Sequence, residues 1–168
     1  MKRLVEIASE QDAREIAALR NAAGEELTRR FGSGVWSWRS SENMIRYNLT
    51  RPKFSRTLVA REGRKLLGVL TLQAKKPWAI DVSYFTPVKR PLYLVGMTVH
   101  PANQGQGVGR ELLKSAEVHA REWPADAIRL DAFDSKAGAG PFYAKCGYQA
   151  AGRSVYRGTP HLNFELVF

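Results

Sequence analysis

The chain has 168 residues, 44% of them hydrophobic, and a formal net charge of +10 at pH 7. This length suits one domain with a sizeable core. No apolar stretch approaches the roughly 18–20 residues of a membrane span, so we expect no membrane partner. The first residues lack the apolar core of a signal peptide, and the single cysteine, Cys146, cannot form an intrachain disulfide. Both features fit a cytoplasmic location.

The positive charge is dispersed along the chain. Basic residues occur at most as short pairs, and there is no run of five or six like charges. This pattern favours a solvated basic surface that attracts anionic ligands. We therefore expect no nucleic-acid partner, although a basic nucleic-acid-binding domain remains an alternative that rests on net charge alone.

The first quarter of the chain predicts a short strand and two helices. The strand covers residues 2–8, and Ser9 or Asp12 caps the first helix. Residues 32–38 break that helix, and Ser41 opens a second one. The apolar positions of the first helix recur at helical spacing: Ile16, Leu19, Ala23 and Leu27.

Strands dominate the prediction from residue 57 onwards. Residues 57–62 and 65–73 form a hairpin around Gly63, and the proline-containing segment 75–91 is a loop with room for one short strand. The remaining elements are predicted in the following order: a central strand at 92–99, a helix at 107–123, a strand at 127–133, a short helix at 140–146 and strands near 148–156 and 162–168. This order is typical of an α/β fold in which helices are inserted into one mixed sheet.

Residues 104–109 read Gln-Gly-Gln-Gly-Val-Gly and stand between the central strand and the following helix. Glycines at a helix start expose backbone N–H groups with no side chains in the way. Those groups and the positive end of the helix dipole suit a phosphate. The segment therefore predicts a site for a phosphorylated ligand.

Two common nucleotide loops are excluded by the residues present. A Walker loop with Gly109 as its second glycine would need Lys and Ser or Thr next, where Arg110 and Glu111 stand. The dinucleotide fingerprint needs a glycine three residues after Gly107, and that position is again Arg110.

The spacing Gln104-x-x-Gly107-x-Gly109 resembles the Gln/Arg-x-x-Gly-x-Gly/Ala signature of the GNAT superfamily of N-acetyltransferases. A second segment, residues 138–148, resembles the later helix of that family, which ends Ala-x-x-Phe/Leu-Tyr-x-x-x-Gly-Phe/Tyr. The two motifs stand in the family's order, with a helix and a strand between them.

The resemblance implies a single GNAT-like domain over residues 1–168, with central strands that splay around the arm of acetyl-CoA, the cosubstrate. Gly96 lies inside the central strand, where a glycine marks either a bulge or mere relief of crowding in a packed core. The residues expected to bind the cosubstrate are Met97, Thr98, Val99, Gln104, Gly105, Gln106, Gly107, Val108, Gly109, Arg110, Ser135, Gly138 and Phe142.

One position departs from the family pattern. An Asn commonly stands seven residues before the helix tyrosine and binds the CoA arm, but here that residue is Lys136. We expect backbone groups between residues 135 and 140 to compensate, and Gly138 and Gly140 make this helix start flexible.

The resemblance also assigns catalytic roles. Tyr143 occupies the family's tyrosine position and is the candidate acid that protonates the departing thiolate; alternatively it is a core aromatic with a satisfied hydroxyl. Asp81 is the candidate base for the acceptor amine, although such an acid is more often a solvated or ion-paired group. Trp36, Trp38 and Tyr84 are candidate acceptor contacts, and packing under a loop is an equal alternative for the tryptophans.

The predicted activity is direct acetyl transfer from acetyl-CoA to a primary amine of a small molecule or peptide. A CoA-binding module without turnover is the main alternative. His119 and His161 have no partners at metal-ligand spacing, so we predict no metal. A homodimer is compatible with the sequence.

Overall fold

The structure, a computed structural model, describes residues 2–168. These residues contain four α-helices: α1 at Ala13–Phe31, α2 at Glu42–Leu49, α3 at Val108–Glu122 and α4 at Gly140–Lys145. They also contain seven strands: β1 at Arg3–Ile7, β2 at Ser55–Glu62, β3 at Lys65–Gln73, β4 at Pro91–Val99, β5 at Ala127–Phe133, β6 at Gln149–Tyr156 and β7 at Thr159–Val167.

The chain divides into two compact units, each built from two segments. The first contains residues 2–72 and 96–116, and the second contains residues 73–95 and 117–168. Strands are ordered β1-β2-β3-β4 in the first unit and β4-β5-β7-β6 in the second, because β4 contributes to both. The pairing is mixed, since β4 runs parallel to β5 whereas β5 and β6 are each antiparallel to β7. The expectation of a mixed sheet with inserted helices is confirmed.

The core of the first unit forms around the apolar face of α1. Ile16 is fully buried and packs in one cluster with Ile45 of α2, Val59 of β2 and Val69 of β3. Strand β3 is buried almost throughout, as expected of a strand covered on both faces. The second unit has its own cluster of Ile80, Phe85 and Tyr93.

Two predicted details were wrong. The short strand allowed within residues 75–91 is instead a 3-10 turn at Val82–Tyr84, because the Asp81 side chain accepts a hydrogen bond from the backbone N–H of Ser83. The final strand begins at residue 159 rather than near 162. Arg157 and Gly158 both adopt positive φ angles and close a two-residue hairpin between β6 and β7.

Among the described residues, no helix has both the length and the apolar character needed to cross a bilayer.

Leu112 lies near the N-terminal end of α3 and is fully buried. We expect Leu112→Ala to lower the free energy of unfolding by about 2–5 kcal/mol, because it leaves a cavity as well as losing apolar burial. Val118→Ala is the matched control, since Val118 is on the same helix but exposed, and it should change stability by less than about 0.5 kcal/mol. Urea denaturation measures both values, and equal effects would contradict the assigned burial.

Candidate active site

The glycine-rich loop ends at the first turn of α3. Gly105 and Gly107 have φ angles of +74° and +84°, a region that side chains rarely adopt. A Cβ at either position would meet no atom within 4 Å, so the space beside both residues is open. The backbone N–H groups at the start of α3 have no acceptor one turn earlier within the helix. The structure therefore places polar backbone beside open space, as the sequence predicted.

Two side chains of the glycine loop donate hydrogen bonds to nearby backbone carbonyl groups. Gln104 donates from Nε2 to the Val99 carbonyl at 3.2 Å, and Gln106 donates to the Ala102 carbonyl at 3.2 Å. The first of these bonds joins the loop to the end of β4. Gln104 and Gln106 thus shape the loop, which leaves anion contacts to the main chain.

Arg3 of β1 also stabilises the loop, although no pattern in the sequence singles it out. Its Nη1 donates to the Gln106 carbonyl at 2.9 Å and pairs with Glu111 Oε1 at 3.0 Å. The partners are more than 100 residues away along the chain, so no local pattern signals the contact. Arg3 ties the glycine loop to the first turn of α3 and to the edge strand β1.

Strand β4 is distorted at Gly96, where φ is +61°. A Cβ at this residue would lie 2.5 Å from Nη2 of Arg20, the mobile end of a long side chain, so the positive φ is what favours glycine here. Thr98 donates from Oγ1 to the Gly96 carbonyl at 3.3 Å. The positive φ fits the predicted bulge, while splaying of the central strands and the binding role of Met97, Thr98 and Val99 remain predictions.

In the second unit, Tyr143 lies on α4 among other aromatic rings. Its ring centroid is 5.4 Å from that of Phe142 and 6.0 Å from those of Tyr148 and Phe164. Burial, and then the negative charge of Asp131, raise the pKa of the Tyr143 hydroxyl. The hydroxyl therefore stays protonated at neutral pH, as a proton donor requires.

The segment before α4 is tighter than its glycines suggested. The N–H of Gly138 donates to the Ser135 carbonyl at 2.9 Å, and a Cβ on Gly138 would overlap the Phe133 carbonyl oxygen. Gly140 is buried against Leu162 and Phe164. Both glycines therefore permit close contacts, and the flexibility of this segment remains a prediction.

Asp81 lies on an open cavity of about 400 Å³ within the second unit. Its carboxylate accepts hydrogen bonds from the N–H of Ser83 at 2.9 Å and from Ser83 Oγ at 2.7 Å. These bonds, with a smaller contribution from the charge of Lys76, lower the pKa of Asp81. A carboxylate with a lowered pKa is a weaker base, and its visible role is to cap the 3-10 turn. The cavity is lined by Lys76, Trp78, Ala79, Ile80, Asp81, Val82, Tyr84, Ser154, Val155 and Tyr156.

The three aromatic residues predicted to contact the acceptor lie in different settings. Trp36 packs its ring over Gly34 and donates from Nε1 to the Gly32 carbonyl at 3.0 Å. Trp38 is 84% exposed and lines an open groove of the first unit with Asn21. Tyr84 lies against Gly152 of β6. Trp36 therefore supports its loop, whereas Trp38 and Tyr84 present accessible surface.

A buried polar pair in the second unit was not selected from the sequence. Nδ1 of His161 on β7 lies 2.7 Å from Oδ2 of Asp131 on β5. The proximity of these two side chains depends on the pairing of β5 with β7, which lie thirty residues apart along the chain. No cluster of three or more His, Cys, Asp or Glu side chains able to hold a metal occurs within residues 2–168.

Comparison with known proteins decides the family. The model of the acetyltransferase (GNAT) family matches residues 16–148, which include the glycine loop and Tyr143. The chain belongs to the GNAT family of acetyltransferases. A search of curated proteins finds no match.

Solved GNAT structures have the same fold. The PaiA N-acetyltransferase of Thermoplasma acidophilum, in complex with coenzyme A, is 16% identical over 100% of both chains, with a TM-score of 0.78. The ribosomal-protein-alanine N-acetyltransferase of Brucella melitensis is 20% identical over 98% of this chain and 99% of its own, with a TM-score of 0.75.

A third similar structure is YncA of Salmonella typhimurium with its cofactor acetyl-CoA. It is 18% identical over 99% of this chain and 94% of its own, with a TM-score of 0.74. At these identities the likeness establishes the fold. The expected GNAT-like α/β architecture is confirmed, and acetyl-CoA is the cosubstrate consistent with the family.

The lowered pKa of Asp81 gives a direct test of its surroundings. Ser83→Ala removes the 2.7 Å hydroxyl bond, so we expect the pKa of Asp81 to rise towards its ordinary value. Because the folded pKa is depressed, the stabilising bond is present at higher pH and is lost as pH falls through that pKa. A pH titration of the Asp81 carboxyl carbon by NMR measures the change. Ser154→Ala, in the same cavity, should leave the Asp81 titration unaltered; an equal shift there would contradict the assignment.

Proposed function

We propose that this GNAT protein transfers the acetyl group of acetyl-CoA directly to a primary amine. The observation that carries the proposal is the glycine loop at the start of α3, where Gly105 and Gly107 leave open space beside unobstructed backbone. That arrangement fits a diphosphate, which needs several N–H donors at a helix N-terminus. The net charge of +10 also attracts a polyanionic cosubstrate.

The residues proposed to hold acetyl-CoA follow the family pattern. Main-chain groups of residues 104–110 bind the diphosphate, and those of Met97, Thr98 and Val99 bind the neutral arm by strand addition. Residues 135–142 contribute further contacts through Ser135, Gly138 and Phe142. The polar side chains of the loop are already engaged in bracing it, which supports recognition by the main chain.

Acetyl transfer forms a bond from the amine nitrogen to the thioester carbonyl carbon and breaks the carbon–sulfur bond. Negative charge grows on the carbonyl oxygen, and a backbone N–H of β4 placed to bind it contributes about 3–4 kcal/mol. The nitrogen loses one proton and the sulfur gains one. A thiol of pKa about 8.5 is a better leaving group when a proton donor is near.

We assign the proton donor as Tyr143 and the proton acceptor as Asp81, acting directly or through water. The raised pKa of Tyr143 keeps its hydroxyl protonated at neutral pH but also makes it a weaker acid, so proton transfer depends on the negative charge that develops on sulfur. An alkylammonium of pKa about 10.4 costs about 4–5 kcal/mol to deprotonate at pH 7. The lowered pKa of Asp81 makes this acceptor weak, so an amine that enters in its neutral form suits it best. Trp38 and Tyr84 offer exposed surface to the acceptor.

Thiol release from acetyl-CoA with a panel of primary amines tests the function. Amine-dependent release with formation of the acetylated amine supports the proposal. Calorimetric binding of acetyl-CoA without any turnover would favour a CoA-binding module. Salt-sensitive binding of nucleic acid without stabilisation by CoA would favour the basic-domain alternative.

Gly107→Ala tests the loop. The positive φ of Gly107 should cost an alanine about 1–2 kcal/mol of stability, and relief of that strain turns a backbone N–H away from the ligand. We expect acetyl-CoA to bind roughly tenfold more weakly, equal to about 1.4 kcal/mol, as measured by calorimetry. Gly158→Ala is the control, because Gly158 also has a positive φ and open space. It should lose similar stability and keep its affinity; equal loss of affinity in both variants would contradict the loop assignment.

Tyr143→Phe tests the acid. We expect kcat to fall roughly 10- to 100-fold, in line with the loss of a general acid, while circular dichroism and thermal unfolding show an intact fold. Tyr148→Phe is the matched control, since Tyr148 is also buried and its hydroxyl has no hydrogen-bond partner within the described chain. That control should retain the wild-type kcat. An undiminished rate in Tyr143→Phe would remove the proposed role.

A further inference from the structure

Arg20 is a charged residue on the buried face of α1. It follows Ile16 by four residues and Ala17 by three, and both of these side chains are buried. Positions with this spacing share one face of a helix. Arg20 therefore extends the core-facing stripe of α1, where an unpaired charge is rare.

The guanidinium of Arg20 is poorly satisfied by the protein. Its Nη2 donates to the Gly96 carbonyl at a long 3.3 Å, and its Nε is enclosed with no hydrogen-bond partner among the described residues. A guanidinium has five N–H donors. Most of the donors of Arg20 are thus free to bind something else near Gly96.

No carboxylate of the first unit pairs with Arg20 within the described chain. Arg61, which is also half-buried, pairs with three acids: Glu6, Asp12 and Glu15. The other ion pairs of the unit are Arg3–Glu111, Arg29–Glu26, Arg39–Glu25 and Arg46–Glu42. The protein neutralises one enclosed arginine with three acids and leaves the other without a counter-charge.

The charge on Arg20 persists despite its surroundings. Burial lowers the pKa of the guanidinium, but arginine stays protonated at neutral pH. Arg20 is half-buried, with Nε enclosed and its bond to Gly96 exposed, so it loses part of its hydration without gaining an ion pair. Such a residue is retained at a cost to the empty protein, and a bound anion would offset that cost.

The position of Arg20 indicates where this anion comes from. Its partner Gly96 directly precedes Met97, Thr98 and Val99, the residues proposed to hold the arm and thioester of acetyl-CoA. The phosphates of the cosubstrate are assigned to residues 104–110, and the thioester end of CoA carries no charge. An anion beside Gly96 therefore belongs to the acceptor.

We propose that Arg20 binds a carboxylate of the acceptor, so that this enzyme acetylates small amines that carry a carboxylate group, such as amino acids. The inference rests on the proposed function and narrows its substrate class. A planar carboxylate matches the fork of the guanidinium through two parallel hydrogen bonds. An amine without the carboxylate would leave Arg20 enclosed and unpaired, and would be rejected for that reason.

The test compares acids with their amides. The twenty L-amino acids, β-alanine and γ-aminobutyrate are each assayed beside the matching amide for thiol release from acetyl-CoA. We expect wild-type kcat/KM to favour the acid of a substrate pair by roughly 100-fold or more. In Arg20→Met the acid and its amide should have similar kcat/KM values, with the loss confined to the acid.

Two further variants control the comparison. Arg20→Lys keeps the charge without the planar fork and should restore part of the preference. Arg14→Met makes the same chemical change at an exposed position of α1 and should keep the full preference. Thermal unfolding without ligand should show Arg20→Met to be at least as stable as the wild type.

The outcomes separate this inference from the proposed function. Turnover of amides as fast as acids by the wild type, or a preference that survives in Arg20→Met, would overturn the carboxylate site while acetyl transfer stands. If no amine releases thiol, calorimetry with CoA decides the site independently. The wild type should bind N-acetyl amino acids more tightly than N-acetyl amino-acid amides, and Arg20→Met should bind both equally. Equal binding by the wild type would overturn the inference.

Discussion

The first turn of α3 lies so close to β3 that a side chain at position 68 would be crowded. A Cβ there would be 2.9 Å from Cδ1 of Leu112 and 3.1 Å from Cγ1 of Val108. Val108 is the first residue of α3 and Leu112 is fully buried, so this contact fixes the N-terminus of the helix. The N–H groups of that turn are useful for anion binding only while their direction is fixed, since a mobile turn would lose the preorganisation of its donors. This packing underlies the conformation of the glycine loop, its hydrogen bond with Arg3 and the proposed binding of a diphosphate.

In this molecule, charged side chains that have partners within the protein support the fold, whereas a charged side chain without them points to a ligand. Arg61 holds β1, β2 and the start of α1 through three carboxylates, and Arg129 of the second unit donates to the Thr86 carbonyl and lies over Phe85. Glu165 accepts hydrogen bonds from the N–H and hydroxyl of Thr86. These contacts position loops, although Nε of Arg129 has no hydrogen-bond partner within the described chain. Arg20 is enclosed without such partners, which is why it points to a ligand.

Glycine has a distinct physical reason at each important position. Gly96 combines a positive φ with close approach of Arg20, whereas Gly138 allows the chain to pass the Phe133 carbonyl. Gly105 and Gly107 have positive φ and open space beside them. Glycines with close neighbours allow elements of the fold to pack together, whereas glycines beside open space leave their backbone groups accessible to a ligand.

The sequence by itself determined the secondary-structure order, the GNAT family and the location of the glycine loop. These follow from local patterns: the period of apolar residues in α1, the bounds of β5 and the spacing of Gln104, Gly107 and Gly109. Turn conformations were harder to predict from the sequence. Asp81 caps a 3-10 turn where a short strand had been allowed, and the tight turn at Arg157 and Gly158 makes β7 begin earlier than predicted.

Only the tertiary structure decided which charges are paired. Three hydrogen bonds join residues that are between 30 and 103 positions apart in the sequence: Arg3 with the glycine loop, His161 with Asp131, and Arg20 with Gly96. No periodicity encodes such distances, because sheet pairing and helix packing bring these residues together. A basic residue in a sequence looks the same whether three carboxylates surround it or none does, and burial beside specific neighbours gives Arg20 its chemistry.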